Sequence, residues 1–234
     1  MIILLADAAH RLFKDRLYAQ FARVGKAIGN PHRLELLELL AQGERTVDSL
    51  AGETGMSLAN TSQHLQALRQ GGLVESRKAG LFVHYRIADA AVIDLSNAVR
   101  TVAERQLAEL DRVVRAYLGD RSKSEPVPMQ ELLERARTGT VVILDTRPPH
   151  EYASGHIAGA ISFPHDEMAE RLRDLPRSRE YVAYCRGPYC VYADRAVEFL
   201  RAKGRRVRRL SEGFPEWKAA GMPTAAGIEH GALP

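Results

Sequence analysis

The sequence holds two cysteines in 234 residues, no internal repeat, no low-complexity stretch, and no apolar run as long as a membrane span. The absence of repeats excludes solenoids and propellers, and the absence of a span leaves no expected membrane partner. The opening residues 1–6 are apolar but too few, and too quickly followed by Asp7, to read as a secretory signal. With no targeting segment, the two cysteines read as reactive thiols in a reducing cytoplasm more than as a structural disulfide. A strong charge surplus is also missing. The formal charge is +4, and the first 120 residues carry 15 Lys/Arg against 14 Asp/Glu, the remainder 18 against 15. Net charge therefore does not mark a nucleic-acid-binding half. The densest basic run (Arg201, Lys203, Arg205, Arg206, Arg208, Arg209) reads as solvated surface, with attraction of anionic substrates or nucleic acid as the alternative.

Both cysteines fall in one loop, Cys185-Arg186-Gly187-Pro188-Tyr189-Cys190, between an apolar run over 181–184 and a helical pattern over 191–203. A cysteine at a strand-to-helix crossing lies near loop amides and the positive end of the helix dipole, which favours the thiolate. Around this loop the chain divides into three parts. Residues 1–118 are mostly helical in pattern, and 119–128 combine charge, serine and proline as a linker does. From 129 to 234 helical and β-branched runs alternate: a helix over 129–137, then strands over 140–144, 160–163, 181–184 and 206–210. That alternation predicts a parallel sheet wrapped by helices.

In the first part Asn30-Pro31 supplies a capping side chain and a proline at the first helical position, so a helix over 32–40 turns Leu36, Leu37, Leu39 and Leu40 to a core. A short helix over 46–51 and a longer one over 57–70 follow, joined through Gly55. Two helices joined by a tight glycine-containing turn are a helix-turn-helix pattern. The alternating runs 73–78 and 81–87 around Ala79-Gly80 predict a hairpin, or wing. On the second helix Leu58, Leu65 and Leu68 are apolar at helical spacing, while Ser57, Asn60, Thr61, Gln63 and His64 offer hydroxyl, amide and imidazole groups suited to base edges and phosphates in a major groove. Arg77, Lys78 and Arg86 on the hairpin are placed to meet phosphate.

The run Ala27-Ile28-Gly29-Asn30-Pro31-His32-Arg33-Leu34-Glu35-Leu36-Leu37, with Ser62-Gln63-His64-Leu65-Gln66-Ala67-Leu68 and Gly72-Leu73-Val74, resembles the ArsR family of winged-helix repressors over about residues 15–90. The resemblance implies operator DNA as a partner and a homodimer built from the first helix and a last helix beyond the wing. Val92, Leu95, Val99, Val102, Leu110, Val113 and Tyr117 recur every three or four residues along a helix expected over 88–118, as a dimer seam does, with a core-facing stripe as the alternative. Many members sense metals through cysteines on the helix that here spans 47–52. This chain has none there and no histidine on 88–118, so no metal site is expected.

In the last part Asp145-Thr146-Arg147-Pro148-Pro149-His150-Glu151-Tyr152-Ala153-Ser154-Gly155-His156-Ile157-Ala158-Gly159-Ala160 and, further on, Gly213-Phe214-Pro215-Glu216-Trp217 flank the cysteine loop. Together they resemble a rhodanese domain over about 126–225. The resemblance implies a five-stranded, mainly parallel sheet and sulfurtransfer: a cysteine takes sulfane sulfur from thiosulfate, a polysulfide or a low-molecular-weight persulfide and passes it to a thiol or another thiophilic acceptor. Cys185 is then the nucleophile. Residues 186–190 (Arg186, Gly187, Pro188, Tyr189 and Cys190) form the substrate loop, whose amides can nest an anion and whose Arg186 adds a positive charge. Asp145, Arg147, Glu151 and His156 read as scaffold, with Arg147 meeting substrate as the alternative. Two features depart from the family: Pro188 stands where a glycine is common, and Val191 stands where related phosphatases and arsenate reductases place arginine, which argues against phosphate or arsenate as substrate. Cys190 reads either as a small buried side chain or as a resolving thiol that attacks the Cys185 persulfide.

The expectation is therefore a mainly α winged-helix domain followed by an α/β rhodanese-like domain, acting as a homodimeric, cytoplasmic DNA-binding regulator whose Cys185 sulfur state sets operator affinity, with no cofactor. An enzyme whose winged helix only dimerises or localises it is the first alternative. A thiol-based arsenite or soft-metal sensor using Cys185 and Cys190 is the second.

Overall fold

The computed structural model describes residues 2–119 and 125–227, with side chains from residue 9 onward. Half of the expected linker, 120–124, and the C-terminal 228–234 lie outside the described residues. Two compact units divide at Val92 and Ile93.

In the first unit, α1 (Ile2–Ile28) leads to α2 (Pro31–Ala41), whose Asn30 cap accepts from the Arg33 amide at 3.2 Å. A two-residue strand β1 (Arg45–Thr46) precedes α3 (Val47–Thr54), which ends at Gly55 in the left-handed region (φ 69°), the conformation that glycine adopts without steric cost. Then come α4 (Leu58–Gln70) and the hairpin β2 (Val74–Ala79) and β3 (Phe82–Ile87). The helix-turn-helix and wing thus lie where the sequence predicts them. β1 pairs antiparallel with β3 to make a three-stranded sheet. Leu36, Leu37, Leu39, Leu40, Leu50, Leu65, Leu68 and Tyr85 fill the core, whereas Leu58 is 53% exposed and does not join them. Gly71 admits the end of α1, since a Cβ there would lie 2.3 Å from the Ala27 side chain.

The helix expected over 88–118 is two helices, α5 (Ala90–Gln106) and α6 (Ala108–Leu118). Leu107, with φ −111° and ψ 95°, interrupts them without a proline or glycine to announce it. Of the expected seam, Val92 is buried, while Val102, Val113 and Tyr117 are exposed.

The second unit contains α7 (Met129–Arg137), β4 (Val142–Asp145), α8 (Pro149–Ser154), β5 (His156–Ile157), β6 (Ile161–Ser162), α9 (Met168–Arg171), β7 (Glu180–Tyr184), α10 (Val191–Ala202), β8 (Arg206–Arg209), α11 (Phe214–Ala219) and β9 (Thr224–Ala225). The parallel sheet runs β6-β4-β7-β8. A fifth parallel neighbour is reduced to a single bridge, Val127 with Leu210, and β5 pairs with β9 apart from the sheet. Alternate residues on β4 and β7 feed two cores. Ile143, Val182 and Tyr184 pack with Leu132, Phe214 and Trp217 on one face, and Val142, Leu144, Tyr181 and Ala183 pack with Ala196, Val197 and Leu200 on the other. Both faces of the sheet are covered, so its carboxyl edge, where β7 ends at Cys185, is the open end for a site.

Candidate functional site

On α4, Asn60 and Gln63 are exposed. Ser57 is the helix cap and accepts from the Asn60 amide at 3.3 Å. Thr61, expected on the DNA face, is fully buried and donates its hydroxyl to the Ser57 carbonyl at 3.0 Å. Its methyl group serves the core and its polar atom is spent on the helix itself. His64 is partly covered, 5.4 Å from the His32 ring, and burial followed by the neighbouring His32 and Arg33 charges lowers its pKa. On the wing, Lys78 is exposed, Arg86 pairs with Glu75 at 2.6 Å, and Arg77 forks onto Glu44, with Nε to Oε2 at 2.9 Å. That hydrogen bond is the main reason the Glu44 carboxyl is held below its ordinary range. The two wing arginines must exchange these carboxylates for any phosphate.

The cysteine loop leaves β7 and enters α10. Cys185 is 1% exposed and is joined to Cys190 in a disulfide, with Cα atoms 6.1 Å apart, and Cys190 occupies the N-cap of α10. Its neighbours fix the loop from both ends. The Tyr184 carbonyl accepts from the Thr146 amide and hydroxyl at 3.0 and 2.8 Å, and the Cys185 carbonyl accepts from the Phe214 amide at 3.1 Å. Gly213 passes so close that a Cβ would lie 2.5 Å from the backbone of Arg186 and Gly187, so its identity is set by the loop.

Two expectations for the loop change. Arg186 does not stand as a bare charge beside the nucleophile: it forks onto Glu151, itself 1% exposed, with Nε to Oε1 at 2.9 Å. The amides of 186–190 do not all serve an anion, because Pro188 has no N–H and the Cys190 N–H goes to the Gly187 carbonyl at 3.2 Å. Neither of those two residues gives its amide to an anion, so a cradle can draw on at most the amides of residues 186, 187 and 189.

Asp145 and Arg147 are both fully buried. Arg147 donates to Asp145 through Nε at 2.9 Å and Nη2 at 2.5 Å, and to the Gly155 carbonyl at 2.7 Å. Tyr184 donates to the same carboxylate and accepts from the Ile157 amide at 3.1 Å. Burial opposes the Arg147 charge, but the Asp145 carboxylate more than offsets it and the guanidinium pKa rises; burial and then Asp145 push the Tyr184 phenol well up. His156 is buried, stacked on Tyr152 at 3.7 Å between ring centroids. Asp145, Arg147, Glu151, Tyr152 and His156 are thus buried members of the motif, whereas Pro149, His150, Ser154 and Gly159 are exposed, and Arg147 has no surface to offer a substrate.

Within the basic run Arg201, Lys203 and Arg206 are exposed, as a solvated surface requires, although several of these side chains also bond within the fold. Arg201, Arg205 and Arg206 donate to the carbonyls of Val207, Leu175 and Ser178, and Arg208 pairs with Glu131 at 2.7 Å. Arg209, which sequence reasoning placed at the surface, is 7% exposed and reaches the cysteine loop. A second contact to this loop was also not foreseen. Tyr189 donates to Glu104 of α5 at 2.8 Å, and Arg100, one turn earlier, pairs with Glu216 at 3.0 Å.

Comparison with known proteins matches the arsR-family bacterial regulatory protein description over residues 30–76 and the rhodanese-like domain description over 128–220. The HTH-type transcriptional regulator Rv0324 of Mycobacterium tuberculosis is 47% identical over 220 residues, covering 93% of this chain and 96% of that protein. A sulfurtransferase of Allochromatium vinosum is 34% identical over 92 residues, covering 39% of this chain and 84% of its own. Among solved structures, the homodimeric winged helix-turn-helix DNA-binding domain Mb0332 of Mycobacterium bovis is 50% identical over 41% of this chain and 89% of its own, with a TM-score of 0.39. The chain belongs to the ArsR-family helix-turn-helix transcriptional regulators and carries a rhodanese-like domain after its winged helix.

Proposed function

We propose that this DNA-binding regulator takes sulfane sulfur from thiosulfate, a polysulfide or a low-molecular-weight persulfide onto Cys185, and that the sulfur state of that cysteine alters operator affinity. The observation that carries the reading is the position of Cys185 at the β7–α10 crossing, with a second cysteine within bonding reach. In the reduced protein the Cys185 thiolate attacks the outer sulfur of thiosulfate. The donor's S–S bond breaks, sulfite leaves with the bonding pair, and a Cys185 persulfide remains for a thiol or other thiophilic acceptor.

The DNA half is proposed to act as a homodimer, as Mb0332 does. Exposed Leu12, Phe13, Tyr18 and Phe21 on α1, with Val102 and Val113 beyond the wing, give a second copy apolar surface to cover. Asn60 and Gln63 are the base-edge contacts, and Lys78, Arg77 and Arg86 the phosphate contacts. Asn60→Ala or Gln63→Ala is expected to weaken specific operator binding by about 1–3 kcal/mol each and to relax preference at one base pair. Lys78→Ala should instead weaken all sequences alike and flatten the salt dependence. Competition titrations at fixed salt distinguish the two.

Coupling is proposed to run through α5, which begins at the wing domain and carries Arg100 and Glu104 to the cysteine loop and α11. An allosteric coupling of about 1–3 kcal/mol changes affinity about 5- to 150-fold. Operator affinity of reduced and persulfidated protein, with Cys185→Ser as reference, tests it; three equal affinities defeat the reading. Glu104→Ala removes a contact worth about 0.5–1.5 kcal/mol and should shrink the reduced-to-persulfidated ratio while sulfur loading is kept. A second reading, favoured by likeness to a protein named sulfurtransferase, is an enzyme whose winged helix only dimerises or localises it. Multiple-turnover transfer with unchanged operator affinity would select it.

A further inference from the structure

Arg209 lies on β8, opposite Ala183 of β7, and its backbone carbonyl accepts from the Val127 amide at 2.7 Å. Its side chain is 8% exposed and turns to the cysteine loop, where one nitrogen, Nη2, donates to the carbonyls of Gly187 at 3.2 Å and Pro188 at 2.5 Å. Its Nε stands 3.6 Å from Asp194 in the first turn of α10. One guanidinium thus joins the strand, the loop and the helix that the loop enters.

In a trans peptide the carbonyl of one residue and the amide of the next point to opposite sides. Holding the Pro188 carbonyl toward Arg209 therefore aims the Tyr189 N–H at the opposite side of the loop. The preceding peptide has no N–H to aim, because its nitrogen belongs to Pro188. Pro188 leaves the loop one amide donor short, and a buried cation stands behind the two successive carbonyls on either side of that gap. Arg186 turns its guanidinium to Glu151 and not to these carbonyls, whereas Arg209, with Asp194 3.6 Å from its Nε, gives Nη2 to both.

We infer that Arg209 is the positioning residue of the sulfur loop: it presents the Tyr189 amide to the anionic donor and supplies the positive potential that keeps Cys185 a thiolate. The inference rests on Cys185 being the sulfur acceptor, and its test separates the two claims. In full-length, reduced protein carrying Cys190→Ser, the pH profile of Cys185 alkylation by iodoacetamide reports the thiolate directly and needs no sulfur chemistry. Arg209→Gln, which keeps donors but not charge, should move the alkylation midpoint up by about one pH unit and slow persulfide loading from thiosulfate about tenfold near neutral pH. Arg209→Lys, which keeps charge but not the second nitrogen that faces Asp194, should move the midpoint less than half as far and still slow loading about threefold, because a lone ammonium cannot stay on the two loop carbonyls while it also faces Asp194.

Wild-type midpoints and loading rates in both variants overturn the inference. If Arg209→Gln fails to fold, Arg209→Lys decides alone: unchanged loading at a pH well above the midpoint overturns it. If the parent protein takes up no sulfur from thiosulfate, polysulfide or glutathione persulfide, the sulfurtransfer reading falls, and the alkylation profiles still judge Arg209.

Discussion

A Cys185→Ser chain is expected to take up no sulfur from thiosulfate or polysulfide, whereas a Cys190→Ser chain takes up one sulfur atom and keeps it. The first effect is the larger, a loss of at least about a thousandfold, because the bond-forming atom is gone and the thiol that remains, Cys190 at the α10 cap, is assigned to resolving the persulfide and not to accepting sulfur from the donor. The second follows from geometry. The Cα atoms of the pair are 6.1 Å apart, inside the span over which two cysteines bond without backbone movement. In wild-type protein the Cys190 thiolate can therefore attack the Sγ of the Cys185 persulfide. The bond from that Sγ to the terminal sulfur breaks, hydrosulfide leaves, and the Cys185–Cys190 disulfide forms with no external oxidant, since the persulfide sulfur is itself reduced.

Three readouts follow. Reduced wild-type protein treated with thiosulfate should release sulfide and end as the disulfide. Disulfide protein should be inert until a dithiol restores both cysteines, and Cys190→Ser should show a stable persulfide by intact mass. A Cys190→Ser chain that releases sulfide as wild type does would defeat the resolving role and leave Cys190 as a small side chain at the α10 cap. A Cys185→Ser chain that loads sulfur would defeat the assignment of the nucleophile.

The loop itself was legible in the sequence because its signals are local: an apolar run, both cysteines and a helical period within about twenty residues. The same holds for the Asn30 cap, the wing around Gly80 and the helix Met129–Arg137. What was not legible depends on distance along the chain. Glu151 lies 35 residues before Arg186, and Arg209 lies 21 and 22 residues beyond the carbonyls it holds, so neither partnership leaves a periodicity to read. Thr61 was misplaced for the opposite reason. Its bond to Ser57 is local, but hydroxyl residues on a recognition helix look alike whether they face the groove or their own backbone. The fifth strand was half right, since the run after residue 125 approaches the sheet but closes only one bridge, at Val127.

The buried pair Asp145–Arg147 sets the second large expectation. Asp145→Asn removes the charge that Arg147 is folded around and leaves a guanidinium with no exposed atom surface and no counter-ion at 2.5–2.9 Å. Breaking a buried pair from one side costs about 3–5 kcal/mol, because the remaining charge is desolvated without compensation. The urea midpoint of the rhodanese-like domain should fall accordingly, with the slope unchanged. Removing both charges together is a different matter. Asp145→Leu with Arg147→Met deletes the desolvation cost along with the attraction, so the double variant should recover most of the loss. Full recovery is not expected, since Tyr184 and the Gly155 carbonyl each lose a partner, worth about 1 kcal/mol apiece. Arg147 packed 4.3 Å over the Phe214 ring, next to the residue that abuts the cysteine loop, makes the sulfur chemistry a second observer of the same change. If Asp145→Asn unfolds at the wild-type urea concentration, the pair is no scaffold and the presence of two charges within the core would need another cause. If the double variant is as unstable as the single, packing around Phe214 rather than charge pairing holds this end of the sheet.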